Sequence, residues 1–151
     1  MIVIKQTILI NAPIKKVWKA FSNLGLWPKM NKYYKYARHV SGKKWAKGSR
    51  FEFKSDYGWL KTSAKPIILI SNPPYFMEWV GTKPFIKGKH SFTFRKSKNW
   101  TEVINHEEFT GIGLPIIYVF NLKPKIEDSF REFMKGLKRE AERKSYTHGQ
   151  K

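Results

Sequence analysis

Asn105 and Glu107 lie two residues apart in a run, residues 100–110, whose apolar members Val103 and Phe109 have the same parity. Residues of one parity share a face of a β-strand, so a strand that turns Val103 and Phe109 into a core turns Asn105 and Glu107 in as well. Two polar groups on an apolar wall are what a ligand pocket uses to orient its guest. A carboxyl removed from water without a cationic partner has its pKa raised, which equips Glu107 to act as an acid or a base. The competing arrangement turns Ile104 inward and leaves Glu107 in a surface salt bridge, and a one-residue slip separates the two. His90 shares its parity with Phe92 and Phe94 and is a second candidate for proton transfer, with Tyr34 a third. The ordinary role for such a histidine is a satisfied core or rim residue.

Other chemistry is excluded or unsupported. The 151 residues contain no Cys, which removes disulfides, thiolate nucleophiles and Cys-ligated zinc. His39, His90, His106 and His148 have no metal-ligand spacing, so no metal site is expected. Gly111-Ile-Gly113 lacks the third glycine and the strand-to-helix setting of a dinucleotide site, and no cofactor is expected.

The net charge of +19, from 30 Lys+Arg against 11 Asp+Glu, favours nucleic acid, anionic membrane surfaces or acidic partners. A Lys-rich proteome or selection for solubility would also produce it. Between Trp27 and Phe53 aromatic residues alternate with Lys and Arg, the combination that single-stranded nucleic-acid binders present. Period two divides those aromatics between two faces, however, and the same lysines suit lipid head groups. No apolar run is long enough for an export signal or a membrane span, so a cytoplasmic protein is expected.

The elements that must position these residues follow from periodicity. Ile126, Phe130, Phe133, Met134, Leu137 and Ala141 recur at three- and four-residue steps, predicting an amphipathic helix over residues 126–146. Pro124 precedes it, Gly149 follows it, and Glu127→Arg131 and Glu140→Lys144 are supporting pairs. Gly136, costly inside a helix, either keeps volume free, lets the helix approach the sheet, or is simply tolerated near the surface. Residues 2–10 alternate as a strand, and Asn11 and Pro13 open a short helix to about Ser22, with a second over residues 24–32. Strands are expected at residues 34–40, 48–56, 59–71, 75–82, 89–96 and 100–110, with Pro66 marking a bulge or an edge. Hairpin-length links make them an antiparallel meander. Residues 114–120 carry no charge and are read as a helical lead-in covering one end of the core.

Certain residues also resemble a known family. Ile10-Asn-Ala-Pro13 with Val17-Trp18 and Trp27-Pro28, Gly48-Ser-Arg-Phe51, and Pro73-Pro74-Tyr75 leading to Glu78-Trp79 are similar to the START-like (SRPBCC) superfamily. So are Glu107-Glu-Phe-Thr-Gly111 and Phe133-Met-Lys-Gly-Leu137 with Glu142. That superfamily holds polyketide cyclases and dehydrases, lipid-transport domains and birch-pollen-type allergens. The resemblance spans nearly the whole chain and is more specific for fold than for chemistry. It implies an α+β helix-grip fold, a curved antiparallel sheet wrapped on a long C-terminal helix, with two short helices after the first strand. Residues 1–151 would form one such domain.

The functional expectation is a cavity between sheet and helix that binds, and in one version transports, an apolar or amphipathic small molecule such as a lipid, quinone, polyketide or sterol-like compound. The expected lining is Trp27, Met30, Tyr34, Phe51, Phe53, Trp79, Phe92, Phe94, Asn105, Glu107, Phe109, Phe130 and Met134, a set that mixes pocket with core. Residues 114–120 and the Trp27 region are the expected mouth. The alternatives are a cyclase-, aromatase- or dehydratase-like enzyme using Glu107 with His90 or Tyr34, and a basic protein that binds nucleic acid or an acidic partner.

Overall fold

The structure, a computed structural model, describes residues 1–144. Strand β1 (Ile2–Ile10) is followed by helix α1 (Ile14–Ser22), a single 3-10 turn (Leu24–Leu26) and the short helix α2 (Trp27–Met30). Strands β2 (Tyr34–Ser41), β3 (Arg50–Asp56), β4 (Lys61–Ala64), β5 (Ile67–Asn72), β6 (Phe76–Lys83), β7 (Ile86–Ser97) and β8 (Trp100–Thr110) come next. Helices α3 (Leu114–Val119) and α4 (Leu122–Glu142) are the last elements among the described residues. The strands form one antiparallel sheet in the order β1-β8-β7-β6-β5-β3-β2, with β4 paired to β3. It curls as a half-barrel around α4, the helix-grip arrangement.

Period-two patterning sets which face each strand buries. On β7 Phe92 and Phe94 are buried, and on β8 Val103 and Asn105, while Arg95 and Lys96 are exposed. The expected strand over residues 59–71 is two strands, because Pro66 has no N–H for the ladder and divides β4 from β5. Helix α4 begins four residues earlier than periodicity suggested, and Pro124 is accepted inside its first turn, where N–H groups have no intrahelical partner anyway. At Arg143 the backbone leaves helical geometry; Ser145, Tyr146, His148 and Gly149 lie outside the described residues. The expected ion pairs are also rearranged. Glu127 pairs with Lys123 at 2.9 Å, Arg131 with Asp128 at 3.2 Å, and Glu140 with Arg143 at 3.2 Å.

Gly136 serves close approach, though not to the sheet. A Cβ there would lie 2.1 Å from the Met30 carbonyl oxygen, so α4 runs directly against the α2 backbone. The junction is secured by the Asn31 side-chain amide, which donates to the Ser129 carbonyl at 3.0 Å and to its hydroxyl at 2.9 Å.

The interior divides into two unlike halves. Beneath α1 and α2, Phe21 is ringed by Trp18, Trp27, Phe92, Phe94 and Phe133 at centroid separations between 4.8 and 6.2 Å. This half is filled with side chains. At the other end Ile2, Ile4, Ile117 and Phe130 form a second, smaller cluster against α3 and the start of α4, and beside it the sheet and helix stand apart. The aromatics between Trp27 and Phe53 are largely used in this packing. Trp27, Tyr34 and Phe51 are buried, and Trp45 is half-buried with its indole N–H donating to the Ser22 carbonyl at 2.9 Å. Tyr33 and Tyr36 are half-buried, with Lys32 and Arg38 over their rings at 5.1 and 5.3 Å, so most of the stretch's aromatics serve the core and not a stacking surface.

Candidate functional site: a hollow between the sheet and the C-terminal helix

A cavity of about 210 Å³ opens between the β3–β7 part of the sheet and the first turns of α4. Tyr34 and Phe53 form one side, Trp79 and His90 the floor, and Phe109 and Phe130 the opposite side. Glu107 is the acid that faces it. Of the other residues expected to line it, Trp27, Phe92 and Asn105 border a void of about 10 Å³ just beneath, shared with Tyr34, Trp79 and His90. Met30, Phe51, Phe94 and Met134 are buried but do not reach the cavity. Met30 is held under Gly136, Phe51 packs on Trp27 and Trp45, and Phe94 packs on Trp18 and Phe21. Met134 instead edges an outer groove beside β1. Trp27 is not at the mouth either; its indole N–H donates to the Phe21 carbonyl at 2.8 Å, deep in the filled half.

Several lining residues carried no sequence signal. Tyr57, Leu60 and Thr62 come from the β3–β4 turn and its flank, Gly81 and Lys83 from the end of β6, and Lys125 from α4. Their positions depend on sheet curvature, which local periodicity does not encode.

The polar floor is a chain of three residues. In the β7–β8 ladder Phe92 stands opposite Asn105, and His90 opposite Glu107. His90 Nε2 lies within hydrogen-bond distance of Asn105 Oδ1. Since the amide oxygen only accepts, Nε2 carries the proton and Nδ1 is left bare. That bare nitrogen lies 3.6 Å from Glu107 Oε2. The imidazole is enclosed by Trp79, Phe92 and Phe130, each with its ring centroid 4.9 Å away. Burial among them pushes His90 down to about 4, partly opposed by the Asn105 bond. Burial likewise pushes Glu107 up to about 8, although its side chain keeps 13% of its surface, open towards the cavity. At neutral pH the floor therefore holds a carboxylic acid and an uncharged imidazole. The phenol of Tyr34 is held well above its ordinary range by burial, so it too is neutral.

Two further details shape the floor. A Cβ on residue 88 would lie 2.9 Å from Glu107 Oε1 and 3.3 Å from the Phe109 ring, so glycine at this position leaves room for the carboxyl. Asn105 is 1% exposed, and its Nδ2 has no hydrogen-bond partner among the described residues. A buried donor left unpaired costs about 1–3 kcal/mol.

Comparison with known proteins follows the same outline. Residues 1–142 match the family described as polyketide cyclase / dehydrase and lipid transport. The chain belongs to that family. Among solved structures, the Zhui aromatase/cyclase from Streptomyces sp. R1128 is similar with a TM-score of 0.79, at 13% identity, over 98% of this chain and 98% of its own. TTHA0849 from Thermus thermophilus gives a TM-score of 0.77 at 12% identity, over 93% of this chain and 97% of its own. Hypothetical protein jhp0584 from Helicobacter pylori gives 0.75 at 12% identity, over 93% and 88%. At such identities the likeness is one of fold. No curated protein matches the chain. Membership in the polyketide cyclase/dehydrase and lipid-transport family accounts for the half-barrel and its gripping helix.

Proposed function

We propose that the chain binds an apolar or amphipathic small molecule between its sheet and α4, as a carrier or sequestering protein. The observation that carries this reading is the hollow itself, about 210 Å³ with walls of aromatic and aliphatic side chains. For scale, an apolar cavity of about 150 Å³ in another protein admits benzene. Apolar walls supply affinity at about 25 cal/mol per Å² removed from water. The neutral Glu107 acid, which can donate to a guest oxygen, supplies orientation. Asn105 borders only the void of about 10 Å³ beneath and acts on the guest through His90, whose tautomer it fixes. Lipid, quinone, polyketide and sterol-like compounds remain the candidate classes. The family's printed description, which includes lipid transport, supports the same reading.

The test is to fill the space. Ala64 lines the cavity, and Ala64→Phe should abolish uptake of an environment-sensitive apolar dye while leaving the circular dichroism unchanged. A folded Ala64→Phe protein that takes up dye as well as wild type would remove the cavity from consideration.

A second reading is acid–base chemistry on the guest, of the cyclase, aromatase or dehydratase kind. One geometric fact favours it: the Glu107 carboxyl and the bare Nδ1 of His90 stand 3.6 Å apart on a cavity floor, where burial favours the protonated acid. Glu107 would deliver its proton to a leaving hydroxyl of the guest, the bare Nδ1 of His90 would take one from the guest's adjacent carbon, and passing that proton on to the carboxylate would restore both groups. Once a turned-over compound is in hand, Glu107→Gln should lower kcat by about 100-fold or more. Unchanged turnover in that variant would exclude Glu107 from the chemistry.

A further inference from the structure

The end of the molecule that bears the cavity mouth also carries its most exposed large apolar side chains. Three turns meet there. The Gly113 N–H donates to the Phe85 carbonyl at 2.9 Å, tying the β8–α3 connection to the tip of the β6–β7 hairpin. The rings of Trp59 and Phe120 stand 5.8 Å apart, tying the end of α3 to the β3–β4 turn. Leu114 and Ile117 pack inward on the smaller core cluster, which leaves Ile116, Val119 and Phe120 facing outward at helical spacing, with Ile112 exposed on the turn before α3. Val119 is 76% exposed and Phe85 67%. Residues 109–122 hold no charged side chain, in a chain of which 27% is charged. Lysines then begin on every flank: Lys61, Lys83 and Lys87 are exposed on the strands, and Lys123 and Lys125 lie in the first turn of α4. The acid on the β3–β4 turn, Asp56, accepts the Gly58 N–H at 2.8 Å.

We propose that this lysine-rimmed apolar tip docks on the surface of an anionic lipid bilayer, its aliphatic and aromatic side chains entering the acyl boundary and the lysines meeting head-group phosphates. An exposed apolar patch bordered by polar residues marks an interaction surface, and charge decides among occupants. A second copy of the chain would bring +19 against +19. An anionic bilayer satisfies both parts of the tip at once, since each lysine near such a surface contributes attraction and each buried apolar group contributes insertion. Trp59 has the amphipathic ring that settles at head-group level. The docking does not depend on the cavity's contents. If the cavity takes an apolar guest, as proposed above, its mouth then faces the bilayer and the guest can pass between them without crossing water.

The experiment is co-sedimentation of the full chain with phosphatidylcholine vesicles, with and without phosphatidylglycerol, at low and high salt. The wild type should bind the anionic vesicles and bind pure phosphatidylcholine at least about tenfold more weakly. The Ile112→Ser/Val119→Ser double variant keeps every charge; it should lose about tenfold in anionic-vesicle binding with unchanged thermal unfolding, because both side chains lie outside the core. Dye uptake by the cavity should be unaffected, which separates this proposal from the carrier reading. Absence of binding to anionic vesicles at low salt would overturn it. So would equal binding by the folded double variant, which would leave only diffuse charge attraction. A concentration-dependent dimer that the double variant abolishes would assign the tip to a second copy instead.

Discussion

The Glu107 carboxyl occupies the space over Gly88, with Oε1 2.9 Å from where a Cβ on residue 88 would be. The two are not directly opposed; the ladder pairs Gly88 with Phe109 and Glu107 with His90. The missing side chain on β7 is thus what lets an acid on β8 lie along the cavity floor. Gly88→Ala should displace the carboxyl and crowd Phe109, costing about 1–3 kcal/mol and weakening dye uptake. Chemical denaturation and dye titration check the two parts. Wild-type values for both would show that the carboxyl has somewhere else to go.

Glu107 and His90 together give a pH dependence with a definite sign. In the unfolded chain Glu107 loses its proton near 4.5, whereas the folded protein keeps it to about 8. Folding therefore takes up a proton in that window, and stability falls as pH rises through it. His90 acts oppositely, since the unfolded chain holds that proton to 6.5 and the folded protein releases it near 4. The two effects offset each other below pH 6.5, and above it Glu107 acts alone. Between pH 6.5 and 8, wild type should lose about 2 kcal/mol relative to Glu107→Gln. Denaturant midpoints across that range measure it, and a constant difference between the proteins would mean that Glu107 is ionised when folded.

Gly136→Ala should be among the most destabilising small substitutions. The new methyl would meet the Met30 carbonyl oxygen at 2.1 Å and the Met30 Cα at 2.3 Å, neither of which can rotate away. A loss of about 3 kcal/mol is expected, measured by thermal or urea unfolding. A loss below about 0.5 kcal/mol would show that α2 shifts freely on α4.

Phe130→Ala should enlarge the hollow, since Phe130 is both a cavity wall and a member of the smaller cluster. A cost of about 3–5 kcal/mol is expected, together with uptake of bulkier dyes than wild type accepts. A panel of probes of graded size reads the second effect. Loss of all dye binding in a folded variant would contradict it.

The β8 face was legible because Val103, Asn105, Glu107 and Phe109 keep one parity over a long strand. Their partners could have been found too. Ser97 pairs with Trp100, so the turn is Lys98-Asn99, with Lys98 in the left-handed region at φ 54°. Counting back symmetrically from that two-residue turn puts His90 opposite Glu107. Strand bounds at residues 96 and 100 leave a three-residue link instead, and counting from it sets His90 opposite His106, one residue off. The rest of the lining was out of reach, because Tyr57, Leu60 and Thr62 come from the β3–β4 turn and its flank and reach the cavity only through the curvature of the sheet. The reason for Gly136 was equally hidden. The backbone it admits belongs to Met30, over a hundred positions away in the chain, and no local pattern announces such a meeting.

The segregation of the interior has an evolutionary reading. Rings clustered about Phe21 anchor the fold at one end, while Thr62, Ala64 and Gly81 merely border empty space at the other. Substitutions among the latter should redirect which compound is admitted at little thermodynamic penalty, so descendants of this scaffold can diverge in cargo while their melting behaviour stays put.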